Sequence, residues 1–181
     1  MGRRSVWLSL VFVLIAGCAQ LQTKVPEDVE FDLSGRLAAR YGKDGFTGNI
    51  AWRHAKSADE MLITSTLGAG VARIVRDGDS VVLTTAEPRE YRARDAEALT
   101  EEVLGFRLPL AGLADWVRGR PSSEAEAKVE RDAEGRLRSL EERGWKIDYQ
   151  EYSGKLPSRM RLTYPDIELR LAISEWKSMQ Q

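Results

Sequence analysis

In Trp145-Lys146-Ile147-Asp148-Tyr149-Gln150, three large apolar side chains alternate with three polar ones. Successive side chains of a strand point to opposite faces, so Trp145, Ile147 and Tyr149 share one face and meet a core together. The same period runs on downstream. Met160, Leu162 and Tyr164 alternate with Arg159, Arg161 and Thr163, and Ile167, Leu169, Leu171 and Ile173 alternate with Glu168 and Arg170. Upstream, Phe46, Ile50 and Trp52 fall on one face. Further strand candidates lie at 31–41, 59–66, 71–77, 80–86, 89–94, 125–132 and 136–142, so the pattern predicts about eleven strands. Asp77-Gly78 and Glu134-Gly135 are tight-hairpin signals. Gly42 to Gly45, Ser57 to Asp59 and Ser153-Gly154 supply looser turns. Strands this close in sequence pair as an antiparallel meander, because parallel pairing needs long crossovers.

One stretch breaks the period. Asp95 is a good N-cap, and Leu99, Val103 and Phe106 recur at helical spacing before Leu108-Pro109 interrupts them. A second helix follows, with Pro109 early in it and Leu110, Leu113, Trp116 and Val117 on one face. Gly119 and Pro121 end it. Many antiparallel strands and two short amphipathic helices predict a curved, mainly β sheet whose apolar concave face the helices plug. That is an unclosed antiparallel β-barrel with a lid of short α-helices, a shape that can hold an apolar cavity.

The N-terminus has a different character. Arg3 and Arg4 precede an apolar run from Val6 to Ile15, then Ala16, Gly17 and Cys18. A basic start, a short apolar core and a small-residue exit describe a signal peptide over 1–17. The run is short of the about 20 residues that span a bilayer. Leu14-Ile15-Ala16-Gly17-Cys18 resembles a lipobox, and Cys18 is the only cysteine. The expectation is cleavage before Cys18 and covalent attachment there of diacylglycerol and an N-acyl chain. Ala19, where an aspartate would favour retention in the inner membrane of enteric bacteria, points to the outer membrane. Residues 18–30 are read as a lipidated tether, and 31–181 as one domain.

Loss of Arg3 and Arg4 takes the net charge from -1 to -3. A mildly acidic domain lacks the basic face of a nucleic-acid binder. His54, the only histidine, follows Arg53 at a strand end and reads as exposed; no Gly-x-Ser-x-Gly elbow accompanies it. Too few ligands of suitable type assemble for a zinc site. The pairs Asp59-Glu60, Glu101-Glu102 and Glu141-Glu142 read as solvated surface. Gly68-Ala69-Gly70 lacks the third glycine of a dinucleotide loop, and no Walker loop is present. Neither catalysis, a cofactor nor a metal is expected.

Two features remain. Trp52, Leu99, Val103, Leu113, Trp116, Trp145 and Tyr149 gather apolar bulk on inward faces, which periodicity allows to be a packed core or a cavity lining. In Thr66-Leu67-Gly68-Ala69-Gly70 a leucine stands among small residues between two strands, where a tip is normally polar. It folds back onto the core, continues the strand, or projects as an apolar finger.

Read in order, these residues resemble the LolB family of outer-membrane receptors for lipoprotein sorting. The resemblance runs through Ser34-Gly35-Arg36-Leu37, Trp52, Leu67-Gly68, Gly105, Leu108-Pro109-Leu110, Leu113, Trp116, Gly119 and Pro121. It closes with Gly144-Trp145, Tyr149, Tyr152, Leu156-Pro157 and Trp176. It implies a monomer that takes client lipoproteins from a periplasmic carrier of the LolA type and releases them into the inner leaflet of the outer membrane, without ATP. Leu67 and Gly68 would form the membrane-insertion loop. Trp52, Trp116 and Trp145 would line or border an acyl-chain cavity, to which the shared inward faces add Leu99, Val103, Leu113 and Tyr149. Apart from the resemblance, the acidic Glu60, Asp77 and Asp79 are candidates for steering a basic carrier. Thr66 departs from the proline expected beside the finger. The alternative is a structural envelope lipoprotein, a scaffold or assembly-complex subunit with the same anchor and a dry core.

Overall fold

Thirteen residues, Val29–Tyr41, form β1 in the computed structural model, which describes residues 28–123 and 126–178. Its inward phase, Phe31, Leu33, Leu37 and Ala39, is buried to within 3% of full exclusion from solvent. From β1 the chain folds outward as β2 (Asp44–Ala55), β3 (Ala58–Ser65), β4 (Gly70–Asp77), β5 (Ser80–Thr85) and β6 (Glu90–Ala93), each antiparallel to the last. Two helices follow, α1 (Ala96–Leu104) and α2 (Leu110–Trp116). The chain then builds inward again through β7 (Lys128–Arg131), β8 (Leu137–Glu142), β9 (Trp145–Ser153), β10 (Leu156–Tyr164) and β11 (Ile167–Ser178). Pairing of β11 with β1 joins both halves into one eleven-stranded sheet, ordered β6-β5-β4-β3-β2-β1-β11-β10-β9-β8-β7.

The strands meet the sequence expectation in number and direction, with shifted ends. The candidates at 89–94 and 125–132 shorten to 90–93 and 128–131. Val29 and Glu30, read as tether, already belong to β1, where Val29 pairs with Ala55. Residues 1–17, read as a signal peptide, and 18–27 of the expected tether, Cys18 among them, lie outside the described residues.

The edges β6 and β7 are consecutive strands, and the helical segment between them crosses the opening of the unclosed sheet. Both edges are four residues long, Glu-Tyr-Arg-Ala and Lys-Val-Glu-Arg, and short charged edges resist pairing with other chains. Asp95 caps α1 as expected, its carboxylate accepting from the Glu97 and Ala98 N–H groups. Gly105, left-handed at φ 79°, stops it. Phe106, expected on the face of α1, lies past its end but is buried against Tyr41. The inward faces of both half-sheets and the undersides of α1 and α2 form one apolar cluster.

Candidate functional site

Leu67 sits at the tip of the β3–β4 hairpin and is 96% exposed. The Ser65 carbonyl accepts from the Gly68 N–H at 2.9 Å, and the Ser65 N–H donates to the Ala69 carbonyl at 2.8 Å. These bonds close a three-residue loop, Thr66-Leu67-Gly68, with Gly68 at φ 87°. That is a type I turn followed by a left-handed residue, which glycine adopts without strain. Held this way, the leucine points away from the core. Of the three readings open in the sequence, the projecting one is what the fold adopts.

The aromatic and aliphatic set lies where the lid helices meet the sheet. Trp52, Leu99, Leu113, Trp116 and Trp145 are each at most 4% exposed, Tyr149 is 7% exposed and Val103 is partly buried against them. The Trp116 and Trp145 rings lie 6.4 Å apart. Trp52 belongs to the β2 side with Phe31, 4.9 Å away and edge-on. α2 is tied down from two directions. Its Trp116 carbonyl accepts from the Tyr149 hydroxyl at 3.0 Å, and its Trp116 Nε1–H donates to Glu142 at 2.7 Å. Burial pushes the Tyr149 hydroxyl pKa upward, so it stays a donor.

Two acids expected on the surface are buried, and so is the histidine. Asp59, Glu142 and His54 are 4%, 2% and 7% exposed. Glu142 accepts from Trp116 Nε1, the Ser122 hydroxyl and the Ser122 and Ser123 N–H groups. Burial alone would raise its pKa, but these donors outweigh it and hold the carboxyl below its ordinary range. Asp59 accepts from Trp52 Nε1 at 2.8 Å, approaches His54 Nδ1 at 2.6 Å and pairs with Arg76. Burial again pushes upward, and the His54 and Arg76 partners bring the net shift below normal. His54 stacks on Phe31, and its other nitrogen lies 3.8 Å from Glu30, which pairs with Arg118 beyond α2.

Adjacent acids on a strand point to opposite faces, so one of each pair, Asp59 and Glu142, turns inward. Phase was the available signal. Ile50, Trp52 and His54 share one parity, as do Asp59, Met61 and Ile63, and Leu140 and Glu142. The same rule that buries the tryptophan buries the histidine. Glu101 and Glu102 are exposed, as expected. Glu60 pairs with Arg73, while Asp77 and Asp79 lie exposed at the β4–β5 turn. Beside the lid, a cleft of about 600 Å³ opens between His54, Asp59 and Arg76 on the sheet and Leu110, Ala114 and Arg118 on the helical side. Among the described residues no three His, Cys, Asp or Glu side chains group to hold a metal.

Residues 29–176 match the family model described as outer membrane lipoprotein LolB. A protein of Thiobacillus denitrificans named outer-membrane lipoprotein LolB is 37% identical over 98% of this chain and 99% of its own length. One of the same name from Nitrosomonas europaea is 35% identical over 94% and 91%. A third, from Pseudomonas aeruginosa, is 33% identical over 83% and 75%. Among solved structures, a LolA superfamily protein from Nitrosomonas europaea aligns with a TM-score of 0.48 at 10% identity, covering 87% of this chain and 89% of that one.

Proposed function

The chain belongs to the LolB family of outer-membrane lipoproteins, and from that premise we propose that it receives lipoproteins from a periplasmic carrier of the LolA type. It then releases them into the inner leaflet of the membrane that holds its own Cys18 lipid. The observation that carries the release step is Leu67, 96% exposed on a hairpin tip with no partner in its own fold. Burying one leucine gains about 2 kcal/mol, enough to disturb a bilayer locally and too little to anchor a protein. Anchoring falls to Cys18.

Energy for transfer comes from the acyl chains. Each buried methylene is worth about 0.8 kcal/mol, so an acylated client stays in an apolar site until a better one is offered. An interior that holds chains better than the carrier and less well than a bilayer passes them downhill without ATP. No covalent chemistry is required of the protein. With the lid down, Trp52, Leu99, Leu113, Trp116 and Trp145 are buried in one apolar cluster. Chains therefore enter only when part of the lid leaves, and the way the helices are held favours α1. α2 is fixed to the sheet by Glu142 and Tyr149, whereas α1 rests on apolar contacts through Leu99 and Val103. A Thr100 hydroxyl accepting from the Leu108 N–H joins α1 to the start of α2, and could serve as the hinge contact.

The test mixes the lipidated protein with a carrier loaded with a labelled lipoprotein, adds liposomes and follows the label. Label reaching the liposomes supports the receptor. Retention on a demonstrably active carrier overturns it and leaves the structural lipoprotein.

A further inference from the structure

The receptor reading leaves Ser34-Gly35-Arg36 without a task. Gly35 lies where β11 bulges against β1, and a Cβ there would come 2.2 Å from the Ala172 carbonyl oxygen. Only glycine lets the strands approach so closely. The approach sets Arg36 on the outer face, opposite Ala172, and Ala172 is flanked on its other side by Arg159 of β10. In the neighbouring row, Arg170 lies between Ala38 and Arg161. Four arginines thus surround two alanines, and the small side chains leave a groove of about 320 Å³ that Thr47 and Gln150 complete.

No carboxylate lines this groove. The acids lie around it: Glu168 pairs with Arg170 at 2.7 Å and lies 3.8 Å from Arg161, Glu151 pairs with Arg159 at 3.1 Å, and Asp148 is opposite Arg161 in register. Arg36 has no ion pair or hydrogen bond among the described residues, and the buried Arg161 Nε–H has no acceptor. A buried donor without an acceptor is costly, and so is the unpaired charge of Arg36 beside three further guanidinium groups. A group with several anionic oxygens relieves both, and guanidinium forks match phosphate geometry.

We propose that this groove binds the phosphate of an anionic phospholipid in the membrane that carries the protein, a site that rests on the membrane location proposed above. Charge complementarity favours this occupant. The groove faces outward on the sheet, midway along β1, at the level where β3 ends: Leu37 pairs with Gly48 and Gly48 with Ser65, two residues before Leu67.

The experiment places the lipidated protein in vesicles of phosphatidylcholine alone or mixed with phosphatidylglycerol, labels arginines with phenylglyoxal and reads each site by mass spectrometry. Each arginine near an anionic surface gains roughly fivefold in association, so Arg36 and Arg161 should label several-fold more slowly in the mixed vesicles. Arg92, 67% exposed on β6, should label equally in both. Arg36→Gln should keep the melting temperature and abolish the protection of Arg161. Equal labelling of Arg36 in both vesicles overturns the site. Equal protection by inorganic phosphate in phosphatidylcholine vesicles overturns the lipid assignment and leaves a free-phosphate site. Carrier-to-liposome transfer, run in parallel, keeps the receptor's failure distinct, since protection without transfer would sink the receptor reading alone.

Discussion

Replacing a side chain that touches nothing costs the fold nothing, so the value of Leu67 is to be looked for outside the protein. Leu67→Glu should leave thermal stability within about 0.5 kcal/mol of wild type, as exposed substitutions do. Transfer into liposomes should fall by at least about tenfold, because about 2 kcal/mol of apolar insertion is replaced by a charge that resists it. Equal transfer by both proteins would remove Leu67 from the release step and leave the receptor intact. Thr66, at the first central position of the same turn, tests the support of the finger. Proline suits that position, and Thr66→Pro should raise stability by about 0.4–1 kcal/mol in a thermal melt while transfer persists. The projection of Leu67 was only half readable in the sequence, since a leucine between strands is equally at home folded back. Burial of His54, Asp59 and Glu142 is legible in strand parity, which sets each on the inward face of its strand, and not in their charge, which suits the surface.

The two helices are similar in length and unlike in attachment, a difference that rests on Glu142. Its buried carboxylate holds Trp116 of α2 and the chain at Ser122 and Ser123 to β8. Glu142→Gln exchanges an acceptor-only group for one that also carries donors, and should destabilise by about 2–3 kcal/mol. The sign with pH follows from the lowered pKa values of Glu142 and Asp59. Their stabilisation is complete above the ordinary values of 4.5 and 3.8, and is lost as the pH falls below these toward the depressed folded values. Melts from about pH 6 to about pH 3 should show wild type losing stability faster than Glu142→Gln or Asp59→Asn; parallel curves would deny these carboxylates that role. The lid makes a separate prediction. A disulfide engineered between α1 and β6, its neighbour in the fold, should stop transfer when oxidised and restore it when reduced, with no interference from Cys18, whose thiol the proposed lipid occupies. Unaltered transfer in the oxidised form would mean that α1 does not open. Helix positions could be read from Asp95 and the Leu99 spacing, but not their unequal attachment, because Glu142 and Trp116 lie 26 residues apart.

At the scale of the whole molecule, alternation specified the strands and their neighbours but not how the halves meet. The β1–β11 pairing joins residues some 140 positions apart, as in Ser34 with Glu175, and no local period encodes that. Strand order matters for function because it sets the ends of the sheet. Val29 pairs with Ala55, and Ala55 with Ala58, so the chain enters the fold at the end where β3 begins. Leu67 stands beyond Ser65, where β3 ends. Eight residues of strand put about 26 Å between these levels. Ten residues from Cys18 to Asp28 reach at most about 35 Å, so an upright molecule could bring both lipid and finger to one bilayer only with the tether almost fully drawn out. A molecule lying on its outer face, with the arginine groove against the headgroups, needs far less. Deletion of Leu21 to Glu27 distinguishes the two, because the remaining tether cannot span the length of β3. If the molecule lies flat, the shortened protein should transfer lipoproteins to its own vesicles at a rate near wild type. If transfer fails, and returns when a flexible segment of the same length replaces the deletion, the protein stands upright on its finger and the groove does not face the membrane during release.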